Sequence, residues 1–101
     1  FSSMRPNLLA SSEIAQRMKS LEGWQLIDST LQKKFEFKNF KSAFSFMTRI
    51  AFEAEKLNHH PDWGNVYNRV SISLSTHDVG GITELDFELA GTITKIFKNG
   101  F

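Results

Sequence analysis

LQKKFEFKNFKSAFSFMTRIAFEAEKLNHHP, residues 31–61, changes its hydrophobic period midway, and that change decides the fold. Over residues 31–38 apolar and polar positions alternate. Leu31, Lys33, Phe35 and Phe37 share one side, and Gln32, Lys34, Glu36 and Lys38 share the other. A period of two is that of a strand with one face buried, with Lys33 the mismatch on the apolar side. From Asn39, whose side chain suits a helix N-cap, the spacing becomes three and four: Phe40, Ala43, Phe44, Met47, Ile50, Ala51, Ala54 and Leu57. This spacing predicts a long amphipathic helix with Arg49, Glu53 and Lys56 on its wet side. Pro61 cannot continue a helix and also restricts the residue before it, so the helix ends near Asn58.

The same reading extends outward. Downstream, residues 63–66 form a short strand candidate. Tyr67-Asn68 can turn, since Asn tolerates positive φ. Residues 69–76 alternate again, with Val70, Ile72 and Leu74 inward and Ser71, Ser73 and Ser75 outward. Gly80-Gly81 breaks the chain. Thr83 opens a last helix, with Asp86 three residues on as a variant of the capping box. Its apolar face is Ile82, Leu85, Leu89, Ile93 and Ile96. Upstream, Ser11 or Ser12 caps a helix reaching about Leu21, with Ile14, Met18 and Leu21 on one face. Gly23 stops it, residues 24–27 form a strand candidate, and Asp28 and Ser29 are turn formers. The order is α-ββ-α-ββ-α. Hairpins joined through helices predict an α+β domain: a four-stranded antiparallel sheet with three helices packed on one face.

Composition narrows the function. At 101 residues the chain is one domain, read as residues 11–101, with residues 1–10 expected to be disordered or an expression-derived remnant and Met4 a candidate start. A net charge of +1 argues against a dedicated nucleic-acid binder. No apolar run approaches a membrane span, and no signal peptide is read in the first residues. The absence of cysteine excludes a disulfide scaffold, thiolate metal sites and cysteine nucleophiles, and fits a cytoplasmic protein. Ten phenylalanines are many for so small an interior. They imply a Phe-rich core, an oligomer interface, or both.

The histidines carry the most chemical information. His59 and His60 stand at the end of the long helix, and His77 at the end of the last strand. Two element ends can converge on one site, and imidazole can both give and take protons near neutrality. Each histidine alone reads first as a surface or hydrogen-bonded structural residue, and the fall of all three at two loop positions weakens that reading. A metal site is disfavoured, because adjacent histidines usually point apart and no HExxH or Cys/His spacing is present. Glu55 precedes His59 by four residues, so it either orients that ring or is a solvated helix carboxylate. Trp63 is either core or an apolar wall for a flat heteroaromatic ligand. Asp86 is read as a helix cap with at most a secondary place at the site. There is no phosphate-binding Gly-rich loop, nucleophile elbow or glycosidase carboxylate pair.

FKSAFSFMTRIAFEAEKLNHHPDWGNVYNRVSISLSTHD resembles the pterin-4a-carbinolamine dehydratase family, also known as the dimerization cofactor of hepatocyte nuclear factor. EAEKLNHHPDW followed by NVYNRVSISLSTHD is the specific part. The resemblance implies a four-stranded antiparallel sheet with three helices. It also implies a reaction: loss of water from a 4a-hydroxytetrahydropterin, which gives quinonoid dihydropterin for tetrahydrobiopterin recycling. No metal or organic cofactor is implied, since the pterin is the substrate. His59, His60 and His77 match the family's catalytic histidines. Glu55, Asn58, Pro61, Trp63, Ser75, Thr76 and Asp78 match positions around the pterin, with Asn58 where relatives often have Asp. Val79 and Leu85 stand where some relatives carry Cys and Arg. The implied assembly is a homodimer or homotetramer, functionally coupled to an aromatic amino-acid hydroxylase, without direct nucleic-acid or membrane contact. The alternative role is a non-catalytic coactivator docking a transcription-factor helix, for which a nuclear location would also be needed.

Overall fold

The computed structural model describes residues 7–100. In chain order it contains α1 (Ser11–Met18), β1 (Gln25–Ile27), β2 (Thr30–Glu36), α2 (Phe40–Leu57), β3 (Asp62–Val66), β4 (Arg69–Leu74), a single 3-10 turn (His77–Val79) and α3 (Glu84–Lys98). The four strands form one antiparallel sheet in the order β1-β2-β4-β3. The α+β architecture and the element order are those the periodicity predicts.

The two hairpins meet through their inner strands, with Leu31 opposite Leu74 and Phe35 opposite Val70. β3 lies outside β4 and places Trp63 opposite Ile72. Asp28 and Ser29 both take positive φ, as a tight two-residue hairpin turn requires. In the second hairpin the left-handed residue is Tyr67 (φ 53°) rather than Asn68. Asn68 instead ties the turn to the end of β2. Its side chain donates to the Phe37 carbonyl at 2.8 Å, and its own carbonyl accepts from the Phe37 N–H at 2.8 Å.

One sheet face is buried through Leu31, Phe35, Val70, Ile72 and Leu74, while Lys34, Glu36, Arg69 and Ser71 on the other face are exposed. Phe46 and Ile50 of α2 and Leu89 and Ile93 of α3 complete the core and are fully buried. Aromatic rings fill its centre. Phe46 lies 5.0 Å from Phe35, 4.9 Å from Phe37 and 5.8 Å from Phe97, centroid to centroid. These tilted and edge-on arrangements contribute beyond the area they bury.

Four local expectations are corrected. Neither Ser11 nor Ser12 caps α1. The N-cap is Ala10, without a side-chain bond, because the chain before it is pinned to the core by the Leu9 N–H on the Ile82 carbonyl at 3.0 Å. α1 stops at Met18, and the chain then turns so that Leu21 and Trp24 reach the core. On α2, Phe40 and Phe44 are 50% and 55% exposed, whereas Phe46 is fully buried. The helix is apolar around more than one face, so its period fits two phases, and the cavity between Phe35, Phe37 and Phe97 selects Phe46. On α3, Phe87 and Ala90 are buried and Leu85 only partly. The expectation for residues 1–10 lies, for residues 1–6, outside the described residues.

Lys33 is the mismatch made structural. It sits half-buried on the apolar side of β2 with its ammonium 4.9 Å from the Phe35 ring centroid. Gly23 (φ +88°) makes room for it, since a Cβ there would lie 2.8 Å from the ammonium nitrogen. Burial lowers the Lys33 pKa, repulsion from Lys98 lowers it further, and Glu22 opposes both.

Two predictions follow from this packing. Phe46→Ala is expected to cost about 3–5 kcal/mol in urea unfolding and Phe44→Ala under about 1 kcal/mol; equal costs would refute the assigned phase of α2. The folded chain releases the Lys33 proton before the unfolded chain does. The unfolded state therefore binds more protons just below the usual lysine range, and stability rises with pH there. Lys33→Met is expected to flatten that rise in urea midpoints measured at pH 7 and in the alkaline range; an unchanged slope would contradict it.

Candidate active site

The site begins at the C-terminus of α2. Asn58 takes a left-handed conformation (φ 51°), which Asn tolerates better than most residues. The His59 N–H returns to the Ala54 carbonyl at 3.0 Å and closes the helix end. This reversal turns the next side chain inward. His59 is 8% exposed.

Its partner is Asp86, in the first turn of α3. His59 Nε2 lies 2.5 Å from Asp86 Oδ1, and Asp86 has no exposed surface. The other carboxylate oxygen accepts twice, from the Thr83 backbone N–H and the Thr76 hydroxyl, each at 2.9 Å. Thr83 Oγ1 lies 2.8 Å from Thr76 Oγ1 and accepts the Leu85 N–H at 3.2 Å. With the Thr76 proton committed to Asp86, the Thr83 hydroxyl donates to Thr76. Every hydroxyl proton of the cluster is then directed toward the carboxylate. A buried carboxylate is tolerated only when its lone pairs are met in this way.

Thr76 also anchors the loop that carries His77. Its N–H donates to the Gly81 carbonyl at 2.8 Å, and its carbonyl accepts from Gly80 at 3.0 Å. Gly80, with φ 70°, supplies the left-handed residue that closes the 3-10 turn. His77 and Asp78 stand exposed on this turn, immediately after buried Thr76. One carboxylate therefore ties together the end of α2, the end of β4 and the start of α3.

The remaining predicted residues fall as follows. His60 is exposed, and its Nε2 lies 3.3 Å from Glu55 Oε2. Glu55 thus faces His60 rather than orienting His59 as helical spacing allows, and its 73% exposure fits the other reading, a solvated helix carboxylate. That spacing assumes the helix continues, and the left-handed Asn58 ends it. Asn58 is exposed, Pro61 and Ser75 are half-buried, and Trp63 packs against the core from β3. Trp63 also borders a recess of about 710 Å³ on the open sheet face, with Gln32, Lys34, Ser71 and Ser73; none of the three histidines lines it. Among the described residues, no group of three or more His, Cys, Asp or Glu side chains is placed to hold a metal ion. No described helix is long and apolar enough to cross a membrane.

Sequence reasoning missed the depth of Asp86's involvement. It caps α3 as expected, completing a capping box with Thr83. A signal was available: the box carries Asp where Glu or Gln is usual. The shorter side chain sits closer to the helix end and keeps one oxygen free to bond elsewhere.

Comparison with known proteins identifies the family. The family model described as pterin 4 alpha carbinolamine dehydratase matches residues 7–96. A relative from Prochlorococcus marinus (strain MIT 9515) is 50% identical over 95 residues, covering 94% of this chain and 99% of its own. One from Sinorhizobium fredii is 55% identical over 89 residues, covering 86% and 85%. Both are provisionally named pterin-4-alpha-carbinolamine dehydratase. The crystal structure of a transcriptional coactivator/pterin dehydratase from Brucella melitensis superposes with a TM-score of 0.86 at 44% identity, covering 89% of this chain and 98% of that one. Matched over nearly its whole length by sequence and by fold, the chain belongs to the pterin-4a-carbinolamine dehydratase family.

Proposed function

We propose that this protein is a 4a-hydroxytetrahydropterin dehydratase, a hydro-lyase acting in tetrahydrobiopterin recycling. The observation that carries the reading is the convergence of the α2 end and the β4 end on one buried carboxylate. His59 and Thr76, the residue before His77, both bond that carboxylate.

The reaction breaks the C4a–O bond. The departing hydroxyl takes a proton and leaves as water, and a ring nitrogen loses a proton as the double bond to C4a forms. Two groups that exchange protons near neutrality meet both needs, and imidazoles do so without a metal or an organic cofactor. His59 and His77 form the proton-transfer pair, and His60, paired with Glu55, holds the substrate or assists. Asn58, Pro61, Trp63, Ser75, Thr76 and Asp78 complete the surroundings of the pterin, partly through backbone groups. The protein works as a homodimer or homotetramer, coupled to a hydroxylase that forms the adduct.

The second reading, a coactivator docking a transcription-factor helix, draws support from Phe40, Phe44 and Phe52. These are exposed by half or more on α2. The name of the Brucella structure joins both roles.

The deciding measurement follows the ultraviolet decay of 4a-hydroxytetrahydropterin, generated by a hydroxylase, with and without the protein. Acceleration is expected, with a loss of about 100-fold or more in kcat for His59→Ala and His77→Ala and a smaller loss for His60→Ala. No acceleration by the folded wild-type protein would refute the dehydratase reading and leave partner docking. Equal losses at all three histidines would refute the division of roles.

A further inference from the structure

We infer that Leu8 and Leu9 are positioning residues that brace the turn carrying His77, holding its return limb so that the exposed imidazole keeps a fixed place. The inference rests on the dehydratase reading for its kinetic consequence, but not for its effect on the turn.

The turn has little of its own to close it. Thr76 and Gly81 form one isolated antiparallel bridge. The Thr76 N–H donates to the Gly81 carbonyl at 2.8 Å, and the Thr76 carbonyl accepts from Val79, Gly80 and Gly81 at 3.2, 3.0 and 3.3 Å. All of these bonds lie within residues 76–81, and His77, Asp78 and Gly80 are exposed. A segment with few buried contacts opens locally at small cost unless something outside it holds one limb.

That hold comes from the residues ahead of α1. The Leu9 N–H donates to the Ile82 carbonyl at 3.0 Å, one residue past the bridge. Leu9 also packs, partly buried, against the core. Leu8 lies across Gly81, where a Cβ would fall 2.7 Å from Leu8 Cδ2. The two glycines of the turn thus serve different needs. Gly80 supplies a positive φ, whereas Gly81 does not, so what Gly81 supplies is space. Leu8 stays 54% exposed, and its seat on Gly81 therefore returns little burial. Its effect is on the limb beneath it. α1 continues the grip: Arg17 reaches Glu84 at 3.2 Å and stands 5.8 Å from the Phe87 ring centroid. Each such exposed contact is weak alone. Together, residues 8, 9 and 17 touch residues 81, 82, 84 and 87, the stretch that runs from the His77 turn into α3.

Leu9→Pro tests the brace, because proline lacks the N–H and keeps an apolar side chain. Amide hydrogen exchange is followed residue by residue by NMR, beside turnover of 4a-hydroxytetrahydropterin. The Thr76, Gly80 and Gly81 amides are expected to exchange about two- to tenfold faster than in the wild type, while those of β2 and α2 keep their rates. The kcat is expected to fall about tenfold or more with KM within about threefold, since a loosened proton-transfer group costs rate more than binding. Leu9→Val restores the N–H and is expected to match the wild type in both readings. Unchanged exchange at the turn in Leu9→Pro would overturn the inference, and so would faster exchange with kcat within about threefold of wild type. A Leu9→Val protein as impaired as Leu9→Pro would also overturn it, by placing the effect in side-chain packing alone. Should Leu9→Pro fail to fold, Leu8→Ala decides by exchange, since it leaves every backbone bond in place: rates about twofold or more faster at Gly80 and Gly81 support the brace, and wild-type rates overturn it. A wild-type protein without dehydratase activity whose turn amides still respond to Leu9→Pro would separate the two ideas: the brace would stand and the assigned reaction would fall.

Discussion

A carboxylate with no solvent exposure must be met on all sides by donors, and Asp86 is the group in this fold under that constraint. Its oxygens meet His59, Thr76 and Thr83, which come from three different elements: the end of α2, the end of β4 and the N-cap of α3. The bonds fix more than a local contact. They hold the register between a helix, a strand and another helix at the one place where those elements stop. Hydrophobic packing is non-directional and tolerates repacking, so the core alone would not place His59 to within a hydrogen bond. The polar cluster supplies the direction that the core lacks.

The core in turn makes the cluster affordable. Ile82, Phe87, Leu89 and Ala90 bury the ground around Thr83 and Asp86, and Leu74 closes β4 just before Thr76. Water is excluded from the cluster, so each of its bonds is electrostatically stronger than the same bond at the surface. The loop beyond it is the reverse case. Gly80 and Gly81 let the chain leave β4, expose His77 and Asp78, and return within hydrogen-bond reach of Thr76. A rigid base carrying an exposed turn is a common way to place reactive groups.

Most of the fold was legible because its signals are local. The switch from alternation in LQKKFEFK to three- and four-residue steps after Asn39 set β2 and α2, and Asn39 caps α2 through a 2.8 Å bond from the Ser42 N–H. What sequence left undecided was set by tertiary packing. The phase of α2 depended on which phenylalanine fits between Phe35, Phe37 and Phe97, and spacing alone allows both answers. The same is true of the site. The three histidines could be picked out by residue type and position, but the partner of His59 could not. Asp86 is 27 residues away, and the nearer carboxylate, Glu55, has the better helical spacing. That spacing argument failed at Asn58, where the helix reverses. No local pattern reveals that reversal to be a way of burying the following histidine.

The two histidine–carboxylate pairs differ enough in setting to decide which one organises the site. His60 and Glu55 lie 3.3 Å apart with side chains 56% and 73% exposed. Such a pair contributes between nothing and about 1 kcal/mol, is weakened by salt, and leaves both side chains free to move. His59 and Asp86 have side chains 9% and 0% exposed. Removing one partner from a buried pair leaves the other unmet and costs about 3–5 kcal/mol, a large share of the stability of a domain this size. The buried pair therefore has the more fixed geometry of the two, while the exposed His60–Glu55 pair is free to move. In the proposed reaction, the pterin ring meets one imidazole whose orientation is set before binding and others that can adjust to it. A reaction that moves two protons at different atoms of one ring needs that combination.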